Sequence, residues 1–384
     1  MMLAIQISFW IVFVAICMHY VGFALLVYVV SRVYRKKHKI ADIQPSVSFI
    51  IAAYNEEHII RETLLNDLQI DYPKDKIEFI VVSDGSSDST PNIVSEFANQ
   101  GVTSLHQPQR QGKTAALNRA VATAKNEILV FSDANSMFRK DAISKLVRHF
   151  ADESIGGVCG RKSVLQHANR NASLGDNLYW HYESALKQAE SHLGSIPTAD
   201  GEIFALRRSL YHPVPTALIN DDLVITFNIL EQGKRVIYDQ EAITEEQASI
   251  TMKDDFNVKS RMVYGGIQVI SLYKKLLNPL TSWFGLQFFF HKSLRYFMWV
   301  CLAWILLSNI ACVKVHPFYA VFLGLQLAFY TMAWIGYQLD KLGKKSGIFY
   351  LPYYYCNVNL AAYKGFLYFL KQRSTVDIWK KAQR

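Results

Sequence analysis

Apolar residues fill the chain almost without interruption from Ala4 to Val30, where only Gln6, Ser8, His19 and Tyr20 break the run. That exceeds the roughly 20 residues that span a bilayer. No positive charge precedes the run and no small-residue cleavage pattern follows it, so it reads as a retained anchor and not a removed signal peptide. The pattern then changes. From Ser46 to about Leu206 short apolar runs alternate with helix-length stretches of mixed polarity, the rhythm of a parallel sheet covered by helices. Val47–Ala52, Ile77–Val82 and Ile128–Ser132 predict strands. Glu56–Leu68 predicts a helix with Ile59, Ile60, Thr63, Leu64 and Leu68 on one face. Thr90-Pro91 supplies an N-cap and a first-turn proline for a helix through Ile93–Phe97, and Gly112–Ala124 predicts another with Leu117 and Val121 at helical spacing. No internal repeat is visible.

Beyond Leu272 the chain turns apolar again. Tyr296–Val313 and Phe318–Tyr337 are each long enough to span, with His316-Pro317 as a tight link. Lys274–Arg295, with Trp283, Phe284, Phe288 and Phe289 between basic ends, predicts an interfacial helix. Ile348–Leu370 is interrupted by Asn357, Asn359 and Lys364 and flanked by Lys341, Lys344 and Lys345 before it and Lys371, Arg373, Lys380, Lys381 and Arg384 after it. It is expected to dip into or lie along the membrane, a further span being the alternative. The expected boundaries are an anchor with its basic flank over 1–40, an α/β domain over 45–271, the interfacial helix over 272–295, and a membrane region with a basic tail over 296–384.

Charge orients this plan. Arg32, Arg35, Lys36, Lys37 and Lys39 follow the anchor, which puts the amino terminus outside and the α/β domain in the cytoplasm, on the inner membrane of the cell. The net charge of +9 lies beside the apolar segments, so membrane lipids are the expected partner and nucleic acid is not. The five cysteines form no Cys-x-x-Cys pair and no histidine stands at zinc spacing, so neither a disulfide framework nor a structural metal is expected.

The candidate chemistry follows the strands. Asp133-Ala134-Asn135 closes the apolar run Ile128–Ser132 and so emerges at the carboxyl end of a buried strand, where ligands sit in open α/β sheets. A carboxylate and an amide oxygen two residues apart suit a hard divalent cation, the usual partner of a diphosphate. Three earlier polar clusters lead to the same edge: Ala53-Tyr54-Asn55-Glu56, Ser83-Asp84-Gly85-Ser86-Ser87-Asp88 and Gly112-Lys113-Thr114. Asp84 suits a base or ribose donor, and the glycine and serines after it allow a tight turn. A P-loop is excluded, because the glycine required five residues before Gly112 is Gln107. A lysine at a helix start is disfavoured by the helix dipole, which favours an anionic partner for Lys113, with Arg110 adding positive potential. Asp221-Asp222 precedes the apolar face of Leu223, Val224, Phe227, Ile229 and Leu230, so one aspartate can face the cleft while the other is solvated or caps the helix.

Taken in order, these clusters, extended to Ala115-Ala116-Leu117-Asn118 and Ser136 and followed by Asn220-Asp221-Asp222-Leu223, resemble the membrane-bound family 2 glycosyltransferases, relatives of poly-N-acetylglucosamine, hyaluronan and cellulose synthases. The resemblance covers about Val47 to Gly266. It implies a GT-A fold, Rossmann-like with a mostly parallel sheet, on the cytoplasmic face between amino- and carboxyl-terminal transmembrane helices. It also implies a hexosyl- or N-acetylhexosaminyltransferase that moves a sugar from a nucleotide diphosphate, expected to be a UDP-sugar, with inversion and with Mg2+ or Mn2+. Carried over by position, Ala53, Glu56 and Asp84 would contact the nucleoside and Lys113 the diphosphate side. Asp133 and Asn135 would occupy the Asp-x-Asp metal place, with Asn135 in place of the second carboxylate. Asp222 would be the base, and Asp200 and Gly201, ahead of the Arg207-Arg208 pair, would line the acceptor side. In the family's Q-x-x-R-W stretch the chain reads Val258-Lys259-Ser260-Arg261-Met262. Arg261 remains to pair with the diphosphate, but methionine offers no flat face to a pyranose. The expectation is therefore transfer to a glycan or lipid-linked acceptor in cell-surface glycan or glycolipid synthesis. A processive synthase that extrudes its product and a noncatalytic scaffold with a decayed nucleotide site are the rivals.

Overall fold

Val47, Phe49, Ile51 and Ala53 point to one face of a strand and Ile50 to the other, and all five are buried, so this strand must lie inside a sheet covered on both sides. The structure, a computed structural model, describes residues 1–165, 172–247, 252–344 and 347–372. Lys345, Arg373, Lys380, Lys381 and Arg384 of the basic flanks lie outside the described residues.

In chain order the elements are helices α1 (Met2–Cys17) and α2 (Phe23–Val33), strand β1 (Val47–Ala53), α3 (Ile60–Asp67), β2 (Ile77–Asp84), α4 (Thr90–Ser95), β3 (Val102–Gln107), α5 (Lys113–Thr123), β4 (Ile128–Asp133), β5 (Met137–Phe138), α6 (Ala142–Val147), β6 (Ile155–Leu165) and α7 (Ala172–Leu193). There follow β7 (Phe204–Arg207), α8 (Asp221–Glu231), β8 (Arg235–Gln247), α9 (Met252–Leu272), α10 (Trp283–Phe288), α11 (Leu294–Cys312), α12 (Pro317–Lys341) and α13 (Tyr350–Leu370). The strands form one eight-stranded mixed sheet in the order β3-β2-β1-β4-β7-β6-β8-β5. β3, β2, β1 and β4 run parallel, whereas β7 is antiparallel to both β4 and β6. Ile60 and Leu64 of α3, Val94 of α4 and Ile143 and Leu146 of α6 cover one face; Ala116 and Leu117 of α5 and Leu223, Val224 and Phe227 of α8 cover the other.

The expected strands at 47, 77 and 128 are present. The helix expected from Glu56 begins at Ile60, because the Glu56 and Glu57 N–H groups donate to Thr90 Oγ1 and Asp88 Oδ2 at 2.8 and 3.1 Å and hold that segment as a turn. Ser89, not Thr90, occupies the N-cap of α4.

Among the described residues three helical stretches are long and apolar enough to cross a membrane: Met2–Val33, Trp283–Cys312 and Pro317–Lys341. The first and second each contain a π-turn, at Met18–Gly22 and Phe289–Ser293. The helix expected over 274–295 starts only at Trp283, where Ser282 Oγ accepts from the Gly285 N–H at 2.8 Å, and then continues into α11 as one stretch. Asn278-Pro279 ahead of it cannot extend a helix. Residues 313–316 alone join α11 to α12, and across that pair the side-chain amides of Asn309, fully buried, and Gln326 lie 2.7 Å apart. α13 packs along α9 at Gly365, where an added Cβ would stand 2.5 Å from the Ser260 carbonyl oxygen and 2.9 Å from Val263 Cβ.

That close approach gives a stability test. Gly365→Leu is expected to destabilise the protein by about 1–3 kcal/mol through overpacking, whereas Gly324→Leu, with nothing within 4 Å of its added Cβ, should leave the thermal midpoint in detergent unchanged. Equal midpoints for the two variants would contradict the α9–α13 packing.

Candidate active site

Because β1, β2 and β4 are parallel and in register, with Ala53 opposite Ser83 and Ala52 opposite Asp133, their carboxyl ends finish at one edge. The loops leaving them need unusual backbone. Asn55 has φ 54°, and Gly85 has φ 70° with its Cβ direction blocked by the Arg110 backbone at 2.7 Å. The first two loops are tied together: Asn55 N–H donates to Ser86 Oγ at 3.1 Å, and Ser87 N–H donates to Asn55 Oδ1 at 2.8 Å. The Arg110 guanidinium lies 3.9 Å from the centre of the Tyr54 ring. Ala53 turns its methyl into the core and Glu56 is half-buried beside the second loop.

Asp84 is buried. Its Oδ2 accepts from the Gln111 and Gly112 N–H groups at 2.9 and 2.6 Å, and Oδ1 pairs with Arg119 at 2.9 Å. Asp84, expected to contact a nucleoside, thus also holds the loop that opens α5. Gly112, at φ 97°, then starts the helix so that Lys113 projects over β4.

Lys113 Nζ forms an ion pair with Asp133 Oδ1 at 2.6 Å, each side chain a quarter exposed. Burial alone would lower the lysine's pKa, but the carboxylates of Asp133, Asp221 and Glu202 outweigh it and hold the ammonium well above its ordinary range. Gly201 completes the contact, since a methyl there would stand 3.5 Å from Asp222 Cβ and 3.6 Å from Lys113 Nζ. Lys113, Asp133, Gly201 and Asp222 thus converge.

Asp221 and Asp222 form the first turn of α8, with Asn220 at the N-cap. Asp221 is buried, and Asp222 Oδ1 accepts from the Leu223 N–H at 2.7 Å, so neither aspartate is simply solvated. Burial, then Asp221 and Glu202, push the Asp222 carboxyl up to about 7, against the opposing pull of Lys113 and the Leu223 N–H. Burial likewise raises Asp221. α9 lies across this turn: Asn220 Nδ2 donates to the Met262 carbonyl at 3.0 Å, and the field of Asp133 and Asp221 acts on Arg261.

Two expected residues have buried long-range partners of their own. Asp200, adjacent to Gly201, pairs with Lys187 of α7 at 2.7 Å. Asn135 donates through Nδ2 to Glu246 Oε1 at 2.6 Å, and Glu246 in turn pairs with Lys162. Lys162 also holds Glu202 at 2.8 Å. Sequence reasoning passed over Lys162, Lys187 and Glu246, since a charged residue inside a strand or helix carries no motif; only their burial marks them. Among the described residues no three His, Cys, Asp or Glu side chains converge to hold a metal ion by themselves. Asp133 offers one carboxylate at the carboxyl end of β4, which fits a cation that draws its remaining oxygens from a bound diphosphate.

Residues 48–214 match the family described as Glycosyl transferase family 2. A probable glycosyltransferase of Bacillus subtilis (strain 168) is 30% identical over 271 residues, covering 66% of this chain and 64% of that protein. A poly-beta-1,6-N-acetyl-D-glucosamine synthase of Staphylococcus aureus (strain COL) is 25% identical over 262 residues, covering 66% of this chain and 62% of that one. The chain therefore spans a little under two thirds of the length of these relatives. Its fold is GT-A: it superposes with a TM-score of 0.72 and 22% identity on a mannosyltransferase from Pyrobaculum calidifontis in complex with GDP-Man and Mn2+, covering 97% of this chain and 100% of that one.

The Asp222 environment predicts a pH signature. Between the ordinary value of 3.8 and about 7 the folded chain retains a proton that the unfolded chain has released, so stability falls as pH rises through that window. Asp222→Asn cannot ionise. In melting scans it should unfold at a higher temperature than the parent at about pH 8 and at the same temperature below about pH 4; a parent that overtakes the variant as pH rises would contradict this.

Proposed function

We propose that this chain, which carries a glycosyl transferase family 2 domain, transfers a sugar from a nucleotide-diphosphate donor to a hydroxyl of a glycan or lipid-linked acceptor at the cytoplasmic face of the inner membrane, with inversion at the anomeric carbon. The observation that carries the reading is the convergence of Lys113, Asp133, Gly201 and Asp222 at the carboxyl edge of three parallel strands.

In this reading the nucleoside is cradled by the Ala53 backbone, Glu56 and Asp84 at the ends of β1 and β2 and by Tyr54, on whose ring Arg110 stacks from the loop after β3. Lys113 and Arg261 face the diphosphate. Asp222 accepts the acceptor's hydroxyl proton as the new glycosidic bond forms and the bond to the nucleoside diphosphate breaks, and a carboxyl pushed up to about 7 is matched to that task near neutral pH. Gly201 leaves room for the acceptor between Asp222 and Lys113. Asp133, with Asn135 in support, would hold Mg2+ or Mn2+, which when bound neutralises charge on the leaving diphosphate. Asn135 brings no second carboxylate, so the cation depends on the donor's own oxygens.

The three candidate crossings among the described residues, with Arg32, Arg35, Lys36 and Lys37 after the first, support a cytoplasmic α/β domain. α13 would lie at the inner surface against α9. A UDP-sugar is the favoured donor. Met262, 53% exposed where processive relatives carry tryptophan, supports addition of single sugars over polymerisation.

Four measurements test this. Membranes containing the chain, incubated with labelled UDP-sugars, should yield one added sugar; a ladder would favour a synthase and no product a noncatalytic scaffold. Asp222→Asn should cut transfer about 10²–10⁴-fold with UDP binding intact, and transfer at the parent rate would remove Asp222 as the base. Chelation should abolish transfer, and Asp133→Ala should remove the metal-stimulated part of UDP binding; metal-independent binding in the parent would sink the cation's role.

A further inference from the structure

Glu183, Lys187 and Glu190 fall at i, i+4 and i+7 of α7, one face of the helix, and all three are buried. Lys187, 1% exposed, holds Asp200 Oδ2 at 2.7 Å. Asp200 N–H is fixed by Cys159 Sγ at 3.2 Å, and the Ile203 N–H closes a turn onto the Asp200 carbonyl at 3.1 Å, with Gly201 and Glu202 inside it.

The other two residues grip the second membrane-crossing stretch at its π-turn. His291, fully buried, faces Glu183 through Nε2 at 3.0 Å and Glu190 through Nδ1 at 2.9 Å; Lys292 pairs with Glu183 at 2.6 Å and Arg295 stands 3.7 Å from it. The Phe290 carbonyl of the same turn meets His19 Nδ1 at 2.6 Å, in the π-turn of the first crossing. α7 also packs its Leu186 and Ala189 on Phe23 and Val27 of α2. Buried ion pairs return little net stability over an apolar core. This series joins two membrane helices to one active-site turn.

We propose that Lys187 is a positioning residue for the acceptor side of the site, and that α7 passes to the Asp200–Glu202 turn the geometry set by the π-turn of the second membrane-crossing helix. The proposal rests on the reading of Asp222 and Gly201 as the place where the acceptor hydroxyl sits. The nucleoside side is built by the loops after β1 and β2, and no contact among those described joins them to the Glu183–Lys187–Glu190 face; on the diphosphate side Lys113 meets the turn at Gly201. Acceptor use should therefore respond to α7 more strongly than donor use.

The test uses the full chain in detergent. Backbone amide exchange at 200–203 should quicken in Lys187→Met and, without any change near the cleft, in His291→Gln; unchanged exchange in His291→Gln overturns the coupling whether or not the chain is active. UDP-N-acetylglucosamine and GDP-mannose serve as donor probes and total membrane lipid as the acceptor probe. Lys187→Met should lower transfer to lipid about tenfold or more with a raised half-saturating acceptor level. UDP or GDP binding and donor hydrolysis in water should stay within about twofold of the parent. Lys187→Arg should keep most of the transfer, and Asp200→Asn added to Lys187→Met should recover part of it by removing the bare carboxylate. Parent-like acceptor dependence in Lys187→Met, or loss of donor hydrolysis in step with transfer, overturns the proposal. A parent chain that consumes no donor overturns the enzymatic reading instead, and leaves the exchange measurement to decide the coupling.

Discussion

One ammonium group organises the centre of this molecule. Lys113 stands at the start of a helix, where the dipole disfavours a cation, and over the end of a buried strand, where solvent is scarce. It is tolerable there only because Asp133, Asp221 and Glu202 surround it. Each of those carboxylates comes from a different part of the chain, so satisfying one charge fixes the relation of α5, β4, the turn before β7 and α8. Burial, together with the same crowding of acids, raises Asp222, which has no cation of its own among the contacts described. Charge balance and readiness to take a proton are thus two results of one arrangement.

Much of the α/β domain was legible because its strands are continuous apolar runs. β1, β2 and β4 are buried on both faces, and Val, Ile and Phe there leave no ambiguity of period. β3 was not, since it is the sheet edge and shows only Val102 and the half-buried Leu105 as apolar signals among exposed Thr103, Ser104 and His106. The two carboxyl-terminal apolar stretches were legible, but the helix expected as a separate interfacial element over 274–295 is continuous with the first of them from Trp283, because its aromatic residues carry on the same helical run.

The candidate site was legible as an order of polar clusters, not as a set of partners. Asp84 belongs to an aspartate-glycine turn on any reading, yet its bonds to Gln111 and Gly112 depend on α5 arriving from beyond β3. Asp200 was placed beside the acceptor by its neighbour Gly201, and the structure turns its carboxylate to Lys187. Asn135 bonds to Glu246 across 111 positions of sequence. Local pattern reports which side chains reach an edge of a sheet. It cannot report which long-range cation or amide meets them there, because that follows from helix packing.

The short connection between α11 and α12 has a bearing on how the chain enters a bilayer. Asn309 and Gln326 satisfy each other only when both helices are already side by side, and either helix alone would carry an unpaired amide into hydrocarbon. With four residues, 313–316, between them, the two segments are suited to insert together as a helical hairpin. Biogenesis of the carboxyl-terminal region is then a single cooperative event, and a nascent chain arrested inside α12 would hold α11 poorly anchored until synthesis resumed.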